Sequence, residues 1–279
     1  MTRANVKVLN DILEKEIKVL DKGFIRVIDY MGDDSSIVQA ARVSYGKGTK
    51  STSQDESLIR FLMQNQHTSP FEMCEIKLHV KLPMFVARQW IRHRTANVNE
   101  YSARYSIFKE EFYEPDRLCQ QSTLNKQVSE GEFDSQEEIE LIKEKINNVN
   151  SYCLAEYNDL IDRGLARETA RIVVPTSIYT EWYWKIDLHN LLHFIKLRIS
   201  SHAQYEIREY ANALNDILKL WVPFTHKAFN DFVLNSYSIT DHEKELLKRI
   251  FNGEKVDQEN SGLSKRNWLK FKNWWNNNQ

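Results

Sequence analysis

Glycine is scarce in this sequence, with 8 residues in 279. The chain contains neither a Gly-x-Gly-x-x-Gly run nor the glycine-rich run of a Walker phosphate-binding loop. Both runs need glycine where the backbone approaches a pyrophosphate closely. Their absence excludes a Rossmann dinucleotide crevice, so any dinucleotide that binds this protein must be held in another way.

Cysteine is also scarce. Cys74, Cys119 and Cys153 are an odd number and have no Cys-x-x-Cys spacing. Neither a disulfide framework nor a thiolate metal site is indicated, and the three residues are interpreted as reduced thiols. Cys74 and Cys153 fall on apolar faces, and Cys119 lies in a polar segment. We therefore expect that no cysteine acts as a nucleophile.

An excess of charge of one sign and long hydrophobic runs are missing as well. The formal net charge of −1 gives no overall attraction to nucleic acid or to an anionic membrane. No apolar run approaches the ~20 residues that a membrane span requires, and the N-terminus lacks the layout of a signal peptide. With 42% hydrophobic and 28% charged residues, the sequence predicts an ordinary globular protein that stays in the cytoplasm.

Alternating hydrophobicity predicts strands. From Cys74 to Leu82, apolar and polar residues alternate strictly, which is typical of a strand with one buried face. Cys74 should therefore point inward and His79 toward solvent. Shorter runs rich in apolar, aromatic or β-branched residues predict further strands over 24–30 and 177–184.

Helical spacing predicts the remaining elements. Asp34 is a candidate N-cap for a helix that carries Ile37 and Ala41, and apolar residues recur every three or four positions over 139–160, before Gly164. Similar spacing predicts helices over 187–200 and 203–221, and Thr240 with Glu243 forms a capping-box pattern.

The pattern also predicts how the chain is divided. Residues 1–22 are charged and weakly periodic, and they are interpreted as an N-terminal appendage. Residues 23–222 form the main domain, with a polar surface insertion at about 109–135, where periodicity is lost. Residues 223–279 are predicted to form a helical C-terminal extension.

A dense group of hydrogen-bonding side chains runs from Arg92 to Tyr105. The segment holds three arginines, one histidine, two asparagines and one glutamate. On an extended segment, Glu100, Ser102 and Arg104 would share one side. A carboxylate, a hydroxyl and a guanidinium on one side suit a polar heterocycle joined to a phosphate. The alternative interpretation is a solvated basic loop.

This segment resembles the signature of the flavin-dependent thymidylate synthases, Arg-His-Arg-x-x-Ser-x-Asn-Glu-x-Ser-x-Arg. The only fixed position that differs is Asn97, where the family usually has Ser. Other segments are similar to further elements of that family. They are 41–44, 67–72 with Ser69 in place of Thr, 170–175 with its Ala-Arg-x-x-x-Pro pattern, and Leu197-Arg198 followed by Ala203-Gln204.

The resemblance implies an α/β (α+β) fold in which helical clusters flank a small antiparallel sheet, assembled as a homotetramer that shares active sites between subunits. It implies reductive methylation of dUMP to dTMP, with FAD as the cofactor. Methylenetetrahydrofolate would give the carbon, and NADPH would reduce the flavin. No nucleic acid, membrane or metal is expected as a partner.

Site residues carry over from the resemblance position by position. FAD would be bound by Ser44, Ser69, Glu72, Arg92, His93, Arg94, Glu100, Asp187, His189 and His193. The substrate dUMP would be bound by Gln89, Arg92, Glu100, Ser102, Arg104, Arg171 and Arg198. Arg198 is also the predicted catalytic residue, because it would lie against the uracil and stabilise negative charge there. At positions 187, 189 and 193 many family members have Asn, Arg and Asn instead.

Two other classes of function fit parts of the sequence. One is a non-enzymatic RNA-binding module that uses the arginine- and tyrosine-rich segment. The other is a hydrolase with a metal bound by His189 and His193, although the protease pattern needs Glu where this chain has Asn190. Flavin colour in the purified protein would favour the thymidylate synthase hypothesis over both.

Overall fold

A computed structural model of the chain describes residues 4–43, 55–122 and 129–276. The chain forms two compact units, Met1–Phe229 and Asn230–Gln279. Among the residues described, no helix is long and apolar enough to cross a membrane. The predicted boundaries after residues 22 and 222 are not tested by this division and stay predictions.

The strands described in the first unit are β1 (Glu16–Val19), β2 (Gly23–Met31), β3 (Glu75–Pro83), β4 (Asn97–Glu100), β5 (Cys119–Gln121), β6 (Ser129–Glu132) and β7 (Tyr179–Asp187). Five of them form one sheet with the order β1-β2-β3-β7-β4, in which all neighbouring strands are antiparallel. Strands β5 and β6 form a separate two-stranded sheet. Helices accompany the five-stranded sheet, which confirms the predicted fold class.

The helices described in the first unit are α1 (Lys7–Asn10), α2 (Asp34–Arg42), α3 (Asp55–Gln64), α4 (Met84–Trp90), α5 (Gln136–Asp162), α6 (Arg167–Ala170), α7 (Leu188–Arg198), α8 (Tyr205–Trp221) and α9 (Pro223–Phe229). Two 3-10 turns, Phe71–Met73 and Arg171–Val173, lie between longer elements. The helices predicted over 139–160, 187–200 and 203–221 are confirmed as α5, α7 and α8.

The alternating strand is at the centre of the sheet. Leu78 on β3 faces Val27 on one neighbour and Trp184 on the other, and all three are buried. Cys74, which immediately precedes β3, is fully buried as predicted, and burial raises the pKa of its thiol to about 12. His79 is less exposed than predicted, because its ring stacks on Tyr183 with centroids 5.0 Å apart.

Residues outside the predicted main elements also join the first unit. Strand β1 lies within the segment predicted as an appendage, and it pairs with β2. In the segment predicted as a surface insertion, Phe112 forms a bridge to Ile178 and Tyr113 is buried. Short strands and single buried residues leave little periodicity, which explains why the sequence did not indicate them.

An aromatic cluster fixes the end of α4. The Trp90 ring lies 5.1 Å from Trp184 on β7 and 4.7 Å from Phe194 on α7, measured between ring centroids. Tyr210 on α8 is 5.8 Å away. All four rings are buried. The polar segment that begins at Arg92 therefore starts from a point held by the sheet and by two helices.

The second unit is helical. It contains a π-helical turn, Asn230–Leu234, and the helices α10 (Asp241–Phe251) and α11 (Lys265–Asn276). The predicted capping box is confirmed, since Thr240 and Glu243 each accept a hydrogen bond from the other's backbone N–H. Phe271 is buried, and Trp274 stacks on Tyr237 with ring centroids 4.6 Å apart. Phe271 therefore belongs to the core of this unit.

Candidate functional site

The arginine- and histidine-rich first part of the signature, residues 92–96, lies between α4 and β4 and is called the signature turn. Because α4 ends at Trp90, the three consecutive residues Arg92, His93 and Arg94 are not on a helix. Arg92 and Arg94 are exposed, and neither forms an ion pair or a side-chain hydrogen bond with any described residue. Two unpaired guanidinium groups on one turn are suited to binding anionic oxygens.

His93 points toward α7. Its ring centroid lies 5.6 Å from that of His193 and 5.6 Å from that of Phe194. Burial lowers the pKa of His93, and the nearby His193 and Arg198 lower it further, whereas Asp187 acts in the opposite direction. The predicted flavin ligands His93 and His193, from distant parts of the sequence, therefore meet at one place, where the His93 ring favours the neutral form.

The start of α7 provides a second part of the site. Asp187 is the N-cap residue, and its carboxylate accepts hydrogen bonds from the backbone N–H and the side-chain Nδ2 of Asn190, at 2.9 and 2.7 Å. A cleft of about 290 Å³ opens there, bordered by Thr95 and Ala96 of the signature turn and by Asn97 of β4. The sequence did not indicate that Asn190 and Thr95 border this cleft, although Asn190 is at a capping position.

Arg198 ends α7 and reaches the last turn of α4. Its Nη2 donates to the backbone carbonyl of Gln89 at 3.0 Å, while its Nε is buried without a partner in the described part of the chain. Burial lowers the pKa of Arg198, but arginine stays charged in proteins. The Gln89 side chain donates from Nε2 to Oε1 of Gln204. Arg198, Gln89 and Gln204 thus form one connected chain of contacts.

The phosphate end of the predicted nucleotide site differs from the sequence expectation. The extended segment ends at Glu100, so Ser102 and Arg104 are in the turn that follows and do not continue the alternation. Arg104 forms an ion pair with Glu168 at 3.1 Å, and Arg171 Nε donates to the Glu168 carbonyl at 3.3 Å. Two predicted dUMP ligands, Arg104 and Arg171, therefore converge on Glu168.

The other predicted flavin ligands form no hydrogen bond with the signature turn in the described structure, or lie outside the described residues. Ser44 is outside the described residues. Ser69 and Glu72 are exposed in the turn before β3, where Thr68 donates to Glu72 at 3.3 Å. Neither forms a hydrogen bond with the signature turn in the described structure. His189 is half-buried on α7.

The histidines of α7 do not form part of a metal-binding cluster within the described residues. Within the described ranges, no group of three or more histidine, cysteine, aspartate or glutamate side chains could hold a metal ion. His189 and His193 therefore lack a third protein ligand among those residues, and two ligands make a weak site.

Sheet, helices and signature turn define an α/β protein with a polar site at the junction of α4, α7 and β4. The chain belongs to the thymidylate synthase complementing protein family (Thy1), whose sequence model matches residues 26–224. It is 57% identical over 268 residues to the flavin-dependent thymidylate synthase of Wolbachia pipientis wMel, covering 95% of this chain and 94% of that protein. Its identity to the flavin-dependent thymidylate synthase of Rickettsia conorii is 52% over 280 residues, covering 95% of both chains.

Solved structures show the same fold. The UMP/dUMP methylase PolB from Streptomyces cacaoi, bound with 5-Br dUMP, is 31% identical and superposes with a TM-score of 0.70. The superposition covers 77% of this chain and 98% of that chain. A second structure of PolB, bound with 5-Br UMP, also has a TM-score of 0.70.

Proposed function

We propose that this protein is a flavin-dependent thymidylate synthase that converts dUMP to dTMP. Methylenetetrahydrofolate gives the carbon, FAD carries the hydride, and NADPH reduces the FAD. The observation that carries this proposal is the convergence of the signature turn with Arg198 and His193 of α7. The family membership and the relatives named above support the same reaction.

The residues at the signature turn fit FAD. Unpaired Arg92 and Arg94 supply donors for a diphosphate, and His93 with His193 supplies imidazole surfaces for a flat ring. Glu100, Asp187 and His189, with Ser69 and Glu72 of the turn before β3, belong to the proposed flavin set. When bound, the flavin supplies hydride chemistry that no protein side chain can supply. The protein's part is to bind, orient and adjust the electrostatics.

We assign dUMP to the neighbouring groups. Ser102, Arg104 and Arg171 are the proposed phosphate ligands, and the convergence of Arg104 and Arg171 on one residue, Glu168, supports this assignment. For the phosphate to enter, Arg104 must exchange its exposed carboxylate partner for the phosphate. Surface ion pairs contribute only ~0–1 kcal/mol, so this exchange is not costly. Gln89, Arg92 and Glu100 complete the proposed nucleotide set.

The proposed catalytic group is Arg198. Its guanidinium is held by the Gln89 carbonyl at 3.0 Å and keeps a buried Nε–H without a partner, so a donor is left for a ligand. A permanently charged donor beside the uracil would stabilise negative charge that develops on the ring during methyl transfer. Such stabilisation is stronger in a buried site, where little water screens it.

We further propose a homotetramer in which the main domain is residues 23–222. Large apolar side chains are exposed next to the proposed phosphate ligands Arg104 and Arg171: Tyr105 is 78% and Ile172 is 77% exposed. Arg167 links the two segments by donating to the Tyr105 carbonyl at 2.7 Å. Exposed apolar groups of this size mark interaction surfaces, and their position supports subunits that meet at the active site.

The test is direct. The purified protein should be yellow, and its flavin absorbance should be lost on reduction by NADPH and regained during turnover. Incubation with dUMP, methylenetetrahydrofolate and NADPH should yield dTMP. A colourless protein that does not bind added FAD, or a flavoprotein that forms no dTMP, would contradict the proposal.

A further inference from the structure

A buried hydroxyl group on β7 contacts one of the proposed nucleotide ligands. Thr180 is 3% exposed, and its Oγ1 donates to Oε1 of Glu100 at 2.9 Å. Glu100 itself is exposed at the end of β4. It makes no other side-chain hydrogen bond within the described structure. One carboxylate oxygen is therefore fixed by Thr180, and Oε2 is free.

A similar contact fixes the second ligand. Gln204 is the N-cap residue of α8, but its side chain does not cap the helix. Its Oε1 instead accepts from Nε2 of Gln89, while the Gln89 backbone carbonyl accepts from Arg198. Among the residues described, the side-chain oxygen of Gln89 has no partner. The unpaired side-chain atoms, Oε1 of Gln89 and Oε2 of Glu100, are therefore both hydrogen-bond acceptors.

We propose that Thr180 and Gln204 are positioning residues. They orient two hydrogen-bond acceptors of the site toward hydrogen-bond donors on the nucleotide. Thr180 aims the free oxygen of Glu100, and Gln204 aims the free amide oxygen of Gln89. The inference rests on the proposed function, in which both residues bind dUMP. The nucleotide has two such donors, the uracil N3–H and the deoxyribose 3′-hydroxyl, which are the groups that these acceptors would recognise.

The physical reason is preorganisation. An exposed carboxylate or amide on a flexible side chain samples several rotamers, and a ligand must immobilise it on binding. A partner that occupies one of its two polar atoms removes most of these rotamers in advance. Thr180 can do this reliably, because it is held in a nine-residue strand that pairs with β3 along its whole length.

The Thr180 contact is tested by Thr180→Val, which keeps the shape and removes the hydroxyl. Loss of a hydrogen bond to a charged group should raise the KM and Kd for dUMP ~5–10-fold, with a smaller change in kcat. Thr180→Ser retains the hydroxyl and should recover most of the affinity. Equal dUMP affinity in Thr180→Val and wild type would overturn the assignment.

The matched control is Thr225→Val. Thr225 is also buried, and its hydroxyl also donates to a carboxylate, Asp34 Oδ1, at 2.7 Å. This pair links α9 to α2 and contains no proposed ligand. Thr225→Val should lower the melting temperature without changing dUMP affinity. If both valine variants weakened dUMP binding equally, the effect would be a general loss of stability, and Thr180 would have no positioning role.

The Gln204 contact is tested by two variants that distinguish whether Gln204 accepts the hydrogen bond from Gln89 or donates it. Gln204→Glu keeps an acceptor for Gln89 Nε2, whereas Gln204→Leu removes it. The glutamate variant should bind dUMP nearly as wild type does, and the leucine variant should bind it several-fold more weakly. If Gln204→Glu were as weak as Gln204→Leu, Gln204 would act as a donor, and the proposal would be wrong.

Nucleotide analogues test the recognition itself. Removing a donor, in N3-methyl-dUMP or in 3′-deoxy-dUMP, should weaken binding to wild type about tenfold for at least one analogue. That penalty should shrink in Thr180→Val or Gln204→Leu, as expected for coupled groups. Equal binding of dUMP and both analogues to wild type would overturn the inference while dTMP formation still supported the proposed function. Absence of dTMP formation by wild type would overturn both.

Discussion

At the residue scale, the position of Arg198 decides what the site can do. Its guanidinium lies between α7 and the carbonyl end of α4, where burial lowers its pKa without removing its charge. A helix C-terminus favours a cation, so the last turn of α4 holds the group in place. In the proposed site, the guanidinium N–H groups that the Gln89 carbonyl does not bind are the donors for the substrate.

We therefore expect Arg198→Ala to lower kcat by ~10²–10³-fold, the usual effect of losing one donor that stabilises charge in the transition state. Arg198→Lys keeps the charge and loses the planar group of donors, so it should recover only part of the rate. Both are measured as kcat and dUMP affinity with FAD saturating. Near-normal turnover in Arg198→Ala would remove Arg198 from the chemistry, and a defect in affinity alone would make it a binding residue.

The two proposed ligands can be separated by single substitutions. Arg104→Ala removes a donor near Glu168 and Arg171, so it should weaken dUMP binding and leave bound FAD intact. His193→Ala removes the ring beside His93 and should weaken FAD binding more than dUMP binding. Flavin absorbance and nucleotide titration measure each. Equal loss of both ligands in both variants would argue against the assignment.

The cysteines are expected to be dispensable for chemistry. Cys74 is fully buried, and its thiol pKa is raised to about 12, so it carries almost no thiolate at neutral pH. Cys119 is half-buried on β5, and Cys153 is half-buried on α5, less buried than its predicted place on a core face. Cys119→Ser and Cys153→Ala should retain full turnover when loaded with FAD. Loss of turnover in a folded, flavin-loaded Cys119→Ser variant would show that this expectation is wrong.

At the element scale, the start of α2 stabilises a second helix. The N-cap of α2 is Asp33 and not the predicted Asp34, because the Asp33 carboxylate accepts from Ser36 N–H at 3.0 Å. The buried Asp34 instead accepts from the backbone N–H groups of Phe224 and Thr225, at 2.8 and 3.0 Å. Its carboxylate therefore caps the first turn of α9, far away in the sequence.

Asp34→Ala should lower the free energy of unfolding by ~2–3 kcal/mol, because it leaves buried donors without acceptors. The pH dependence has a definite sign. Burial raises the pKa of Asp34 above its ordinary value of 3.8, so the folded state holds a proton that the unfolded chain releases. This group therefore makes folding less favourable as the pH rises through its folded pKa.

The comparison with Asp34→Asn, which cannot titrate, isolates this contribution. The stability of wild type relative to Asp34→Asn should decrease as the pH rises from the ordinary pKa of 3.8 through the raised folded pKa, as measured by thermal unfolding at several pH values. A difference that is constant over this range would contradict the raised pKa. Thr225→Val, which removes one donor to the same carboxylate, should be less destabilising than Asp34→Ala.

On the scale of the whole molecule, the exposed apolar residues next to Arg104 and Arg171 predict an assembly. Tyr105→Asp and Ile172→Asp place a charge where we propose that subunits meet, so each should shift the protein toward smaller species and lower kcat. Native mass spectrometry measures the number of subunits in each species. Leu141→Asp on α5, 50% exposed, is the control for an apolar side chain outside this patch. Tetramers that persist with full activity in all variants would contradict the proposed interface.

Much of this protein was determined by local sequence. The alternation that gives β3, the spacing that gives α5, α7 and α8, and the capping box at Thr240 depend on neighbours a few residues apart, so the pattern is visible in the chain itself. The signature residues also identified the family without a structure, because each fixed position can be compared directly with the known motif.

Only the tertiary structure decided how these pieces meet. In the folded chain, β4 ends at Glu100, Gln204 accepts a hydrogen bond from Gln89, and Thr180 donates one to Glu100. Asp34 caps α9, and β1 pairs with β2 at the edge of the sheet. These contacts join residues far apart in sequence, and no local period encodes them. The packing of Trp90 against β7, α7 and α8 likewise fixes the end of α4, from which the signature segment begins.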